Sequence, residues 1–128
     1  MAAGAGTGED FKQVVHKACA ELGIVVGAEQ LDKMYEHYCL VMEWNHRCGL
    51  TSITGVEEAG IKHYVDSLTC WAVVERGVGC FGDVGSGAGF PGIVLAIQGV
   101  GVPVLIEAEQ RKADFLCMCL RKLGMKGL

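Results

Sequence analysis

No stretch of this sequence stays apolar for the ~20 residues that a membrane-spanning helix needs. Glycines or charges interrupt every hydrophobic run. The opening MAAGAGTGED has neither the basic start nor the apolar centre of a secretory signal, and it reads as a loose tail over residues 1–8. A basic excess is missing too. Residues 1–80 hold 6 Lys and Arg against 11 Asp and Glu, residues 81–128 hold 5 against 4, and the net charge is −4. This excludes a strongly basic nucleic-acid module, so any RNA contact must use a local patch. Seven cysteines are present but none stands in a CxxC pair, and Cys117 and Cys119, two apart, would diverge on a helix. No metal site is expected from them. They read as reduced thiols filling small core positions in a cytoplasmic protein.

What is present suits one globular domain. The 128 residues are 51% hydrophobic and 20% charged, and a chain of this length can bury roughly two-thirds of its unfolded surface. Phe11, Val14, Val15, Ala18, Cys19 and Leu22 fall at helical spacing and predict a first helix over 9–22, stopped by Gly23. Leu31, Met34, Tyr35, Tyr38, Val41, Met42 and Asn45 define a longer second helix, with acids in its first turns, where the helix dipole favours them. After the polar stretch WNHRCGLTSITG, Ile61, Val65, Leu68 and Ala72 make the stripe of a third. These three read as a helical cap over residues 9–78.

The period then changes. CFGDV is a short strand candidate, IVLAIQ a helix, VPVLIE a second strand, and Phe115, Leu116, Cys119, Leu120 and Leu123 a closing helix. Strand, helix, strand, helix is the order of a parallel, doubly wound α/β sheet. Between the first strand and its helix lie Gly85, Gly87 and Gly89. Each glycine costs about 0.5–1 kcal/mol of order relative to alanine, so three together imply positive φ angles or a close ligand. A helix starting near Phe90 and Pro91 would offer free amides and a positive dipole end to an anion. Glu107, at the end of the second strand, lies 20 residues beyond Gly87, the separation at which an acid reaches a ribose diol. Glycine loop and acid together point to a nucleoside-containing ligand.

Two registers overlap in this loop. GAGFPG fits the dinucleotide fingerprint G-x-G-x-x-G, and DVGSGAG fits the D-x-G-x-G turn of class I S-adenosylmethionine methyltransferases. Asp83 discriminates between them. An acid two residues before the loop would repel a pyrophosphate, but it can orient loop amides or accept from the ammonium of S-adenosylmethionine. The methyl donor is the expected cofactor, and a nicotinamide dinucleotide module is the weaker alternative.

WNHRCGLTSIT (44–54), IKHYVDSL (61–68) and DVGSGAGFPGIVLAI (83–97), in that order and spacing, resemble the bacterial small-subunit rRNA guanine-N7 methyltransferases, the glucose-inhibited division protein B family. The similarity runs from about residue 30 to the end. It implies an N-terminal helical cap on a Rossmann-like class I methyltransferase domain, S-adenosylmethionine as cofactor, and methylation of guanine N7 in small-subunit rRNA. Carried over, Asp83, Gly85, Ser86, Gly87, Gly89, Phe90 and Glu107 are the cofactor-binding candidates. Glu107 stands where the family more often has Asp, and Ala108, Glu109 and Gln110 depart from its Ser-x-x-Lys-Arg pattern, while Arg111, Lys112, Phe115 and Leu116 match. Lys62, His63, Arg111 and Lys112 are candidate RNA contacts. Guanine N7 carries a free lone pair, so positioning can suffice, and no catalytic residue is assigned.

A class I sheet has seven strands, and only two are found here. Residues 79–128 therefore read as an incomplete methyltransferase domain, its first β-α-β-α half. Two expectations follow: a chain truncated at its C-terminus, either still active or a non-catalytic relic, and self-association through unpaired sheet edges.

Overall fold

The structure, a computed structural model, describes residues 5–75, 77 and 79–128. Helix α1 spans Ala5–Glu21, α2 spans Ala28–Cys48, and a helical run α3 covers residues 56–72. Strand β1 is Cys80–Val84, α4 is Gly92–Gln98, β2 is Val102–Ile106 and α5 is Gln110–Lys122. The element order is the expected one. The boundary of the expected cap, residue 78, lies outside the described residues.

Helix α1 starts at Ala5, so residues 5–8 of the expected tail are helical, while residues 1–4 lie outside the described residues. Gly8 explains the early start. It is buried, and a Cβ there would come within 3.0 Å of the Tyr35 ring, so the backbone itself packs on α2. Phe11 is fully buried at the centre of an aromatic group, 4.9 Å edge-on from Tyr64 and 5.4 Å from Tyr38. Burying such a ring contributes about 1.5–3 kcal/mol, with up to about 1 kcal/mol more from each well-placed ring pair.

Helix α2 ends where sequence chemistry ends it. Gly49 takes the left-handed conformation (φ 59°), and its amide donates to the Asn45 carbonyl at 2.7 Å. The Asn45 side chain then grips Thr51 twice, Nδ2 donating to the Thr51 carbonyl (2.8 Å) and Oδ1 accepting from its amide (2.9 Å). Tyr38 Oη donates to the Thr54 carbonyl at 2.6 Å. The polar loop is thereby fastened to the helix before it.

The α3 stripe differs from expectation. Val65 and Leu68 are buried, but Ile61 is 44% exposed and Ala72 is exposed, and Ala59 and Tyr64 join the core instead. The reason is a π-helical stretch, Gly60–Val65, between the α-helical turns Val56–Ala59 and Asp66–Thr69. The wider turn holds one residue more, so the 3.6-residue phase slips across it.

β1 and β2 form a two-stranded parallel sheet, with Cys80 opposite Val102 and Val84 opposite Ile106. Phe81, Asp83, Pro103 and Leu105 share one face and are partly or wholly buried. On the other face Val84 is 81% and Ile106 50% exposed. Leu128 lies along the outer edge of β2, its amide donating to Pro103 O (3.0 Å) and its carbonyl accepting from Leu105 N (2.7 Å). One contiguous core joins helices and sheet, from Phe11, Met34 and Leu68 to Ile93, Phe115 and Cys119. All seven cysteines are free thiols. No helix among the described residues is long and apolar enough to cross a membrane, and none of their His, Cys, Asp and Glu side chains cluster to hold a metal.

Candidate functional site

The turn from β1 to α4 brings most of the sequence-derived candidates together. Gly85, Gly87 and Gly89 all have positive φ (78°, 56° and 102°), with Ser86 and Ala88 folded between them. Ser86 is buried and donates through Oγ to the Asp83 carbonyl (2.9 Å). A Cβ at Gly85 or Gly87 would meet nothing within 4 Å, so both open onto free space. Gly89 faces inward: a Cβ there would lie 2.7 Å from Ile93 Cδ1 and 3.2 Å from His37 Nε2.

Both carboxylates brace the loop. Glu107 Oε1 accepts from the Gly87 amide (2.8 Å) and Oε2 from the Glu109 amide (2.9 Å). The Glu109 and Gly87 amides, with the charge of Lys112, hold its carboxyl below the usual 4.5. Each oxygen keeps a second lone-pair direction for another donor. Asp83 Oδ2 accepts from the Gly92 amide (3.0 Å), the first of α4, and burial pushes its pKa up against the pull of that bond. Of the two roles the sequence left open for Asp83, orienting amides or meeting an ammonium, Oδ2 performs the first.

The free amides expected at the helix start are corrected accordingly. Gly92 N donates to Asp83, Ile93 N to Gly89 O (2.8 Å) and Gly89 N to Ser86 O (2.8 Å). These donors are satisfied within the loop, and α4 has only seven residues. What the loop presents outward is a strip of backbone next to a carboxylate.

The Glu107 brace has a defined pH signature. Its folded pKa is depressed, so its contribution is complete above the ordinary glutamate range and is lost as pH falls through the folded value. Hydrogen exchange at the Gly87 and Glu109 amides, corrected for intrinsic rate, should hold steady from neutral pH down through the usual glutamate pKa of 4.5 and accelerate only below it. Glu107→Gln should remove the pH dependence. An unchanged profile in that variant would rule the brace out.

Phe90 and the four RNA candidates divide. His63, on the π-helical turn, stacks on Phe90 (4.5 Å between centroids, 11° between planes), and its Nε2 shares a 2.8 Å hydrogen bond with Thr51 Oγ1. Burial lowers its pKa, with Asp66 and Glu58 opposing. Lys62, its neighbour, turns to Glu58 at 2.9 Å on the exposed side. Lys112 pairs with Glu109 at 3.4 Å. Arg111 reaches the end of α2, donating to Arg47 O at 3.4 Å, beside a cleft of about 530 Å³ lined by Trp44, His46, Arg47 and Asp114. His63 and Lys62 thus adjoin the loop, lining a cleft with Phe90 and Pro91, while Arg111 lies on a separate surface.

Sequence reading missed His37 and Tyr64. His37 is fully buried, its Nδ1 2.8 Å from Tyr64 Oη and its Nε2 2.8 Å from the Ala88 carbonyl in the middle of the loop. The available signal was positional: a histidine three residues after Met34 and four before Val41 lies on the buried stripe.

The family model GidB, rRNA small subunit methyltransferase G, matches residues 30–128. Relatives named ribosomal RNA small subunit methyltransferase G include one from Pelotomaculum thermopropionicum, 41% identical over 117 residues and covering 89% of this chain and 48% of the relative. Another, from Dictyoglomus thermophilum, is 36% identical over 110 residues, 84% of this chain and 46% of the relative. One from Clostridium botulinum is 35% identical over 120 residues, 92% and 50% respectively. The chain spans about half the length of the curated relatives it matches. It belongs to the GidB family of small-subunit rRNA methyltransferases.

Proposed function

We propose that this chain carries the cofactor-binding part of an S-adenosylmethionine-dependent methyltransferase acting on guanine N7 of small-subunit rRNA. The observation that supports this reading best is the loop itself. Two glycines open onto free space, and Glu107, bonded to the Gly87 amide, stands beside them with lone pairs to spare. A ribose diol supplies the two donors such a carboxylate accepts, and side-chain-free backbone lets a nucleoside approach. The residues present fit the methyl donor, with Gly85, Ser86, Gly87, Gly89 and Phe90 forming the loop against it, Glu107 meeting the ribose, and Asp83 holding the loop to α4. When bound, the cofactor would supply an electrophilic methyl group. The chain's own task is then to fix the loop and exclude alternative poses, which positioning alone can make catalytic.

In this reading β1-α4-β2-α5 is the first half of a Rossmann-like class I domain, residues 79–128, and residues 9–78 are its helical cap. Lys62 and His63 beside the loop, and Arg111 and Lys112 at the start of α5, are the proposed rRNA contacts, in the cytoplasm. The second reading is a non-catalytic chain that retains part of the cofactor site.

Titration calorimetry with S-adenosylmethionine, followed by methyl transfer to small-subunit rRNA, separates the readings. Binding with transfer supports the enzyme, and binding without transfer supports the second reading. Tighter binding of NADH, or no heat from folded protein, overturns both.

A further inference from the structure

The hydrogen-bonding roles of His37 are fixed by its partners. A backbone carbonyl only accepts, so the bond to Ala88 requires the proton on Nε2, and Nδ1 must then accept from the Tyr64 hydroxyl. Burial pushes its pKa down to about 4, so the ring is neutral at physiological pH. Phe90 and Phe115 wall it in, at 5.2 and 6.4 Å between ring centroids.

Ala88 is itself buried (4% exposed) and lies between the two inner glycines of the loop. Its peptide unit is planar, so a carbonyl turned inward sends the Gly89 amide the opposite way. That amide donates to Ser86 O at 2.8 Å, which closes the curl of the loop. One ring on α2, oriented by a hydroxyl on α3, thus sets the peptide on which the loop's shape depends.

We propose that His37 is a positioning residue for the methyl-donor site. It clamps the Ala88 carbonyl, and through it the helices α2 and α3 hold Gly85–Phe90 in the binding conformation before any ligand arrives. The cap therefore acts on the cofactor loop directly. This rests on the function proposed above, but the clamp can also be read without ligand.

Three variants test it. His37→Gln places an amide N–H where Nε2 stood and still reaches Ala88. His37→Asn keeps a polar group near Tyr64 but is too short for Ala88, and His37→Phe removes both bonds. Two measurements are made on each folded protein: the Kd for S-adenosylmethionine by calorimetry, and amide exchange across residues 85–90 compared with residues 102–106. His37→Asn and His37→Phe should bind about tenfold more weakly and exchange about tenfold faster at the loop alone, as expected for loss of one buried hydrogen bond. His37→Gln should stay within about threefold of the native protein on both readouts.

A merely structural role would lower the melting temperature without separating Gln from Asn. Equal behaviour of these two variants, or an unchanged loop in His37→Asn, overturns the proposal. If the native protein binds no S-adenosylmethionine, the functional reading fails, and the exchange data decide the clamp by themselves. If His37→Phe does not fold, the Gln and Asn pair suffices.

Discussion

Gly92→Val should lower the unfolding free energy by about 3 kcal/mol, a large share of what a domain of this size has. The first residue of α4 sits directly on both strands. A Cβ at this position would lie 2.5 Å from Asp83 Oδ2, 2.7 Å from Leu105 Cδ2 and 3.0 Å from Asp83 Cβ. Leu105 could shift a rotamer, but the Asp83 contact cannot be relieved cheaply, because that oxygen is bonded to the Gly92 amide. Valine therefore separates helix from sheet, breaks the bond that fixes the helix start, and costs a half-buried carboxylate its amide partner. Urea unfolding followed by circular dichroism measures the effect. Gly55→Ala is the control: its Cβ meets nothing within 4 Å, its φ is −66°, and it should stay within about 0.5 kcal/mol of the native protein. A Gly92→Val protein less than about 1 kcal/mol weaker would mean that the approach of α4 to the sheet is loose.

Gly87→Asp has the opposite profile, sparing the fold and abolishing binding. Gly87 has φ 56°, a region that aspartate enters more readily than most residues, and its Cβ would meet nothing within 4 Å. The stability loss should be about 1 kcal/mol. In the proposed site, however, the new carboxylate occupies the open side of the loop and adds a second negative charge beside Glu107, which already accepts from the Gly87 amide. Affinity for S-adenosylmethionine should fall about a hundredfold or more. Gly87→Asn, similar in size but uncharged, should lose distinctly less. Calorimetry on the three proteins gives the answer, and undiminished binding by Gly87→Asp would place the ligand elsewhere.

These two glycines show how far the sequence could be read. Their spacing marked the loop and the change of period marked both strands, because each signal is local: a turn needs positive φ, and a strand alternates. The sequence did not show that Gly92 is a contact between elements while Gly87 is an opening, since that depends on what lies across the sheet. Long range also hid His37, whose partners are 27 and 51 residues away. The π-helical turn hid Ile61, because a one-residue phase slip inside a helix leaves no mark in composition. The loop amides looked available only because their acceptors, Asp83, Ser86 and Gly89, act through a fold that the motif does not spell out.

The double engagement of Glu107, one oxygen on Gly87 and the other on Glu109, bears on how such a chain changes over generations. In the proposed site, folding of the loop and binding of a nucleoside draw on the same carboxylate, and folding alone already draws on Asp83 through Gly92. A lineage that ceased to transfer methyl groups would still be held to both acids by folding alone. The fingerprint would outlive the chemistry, and Gly85 and Gly87 would persist with it, because their positive φ angles resist any side chain whether or not a ligand binds.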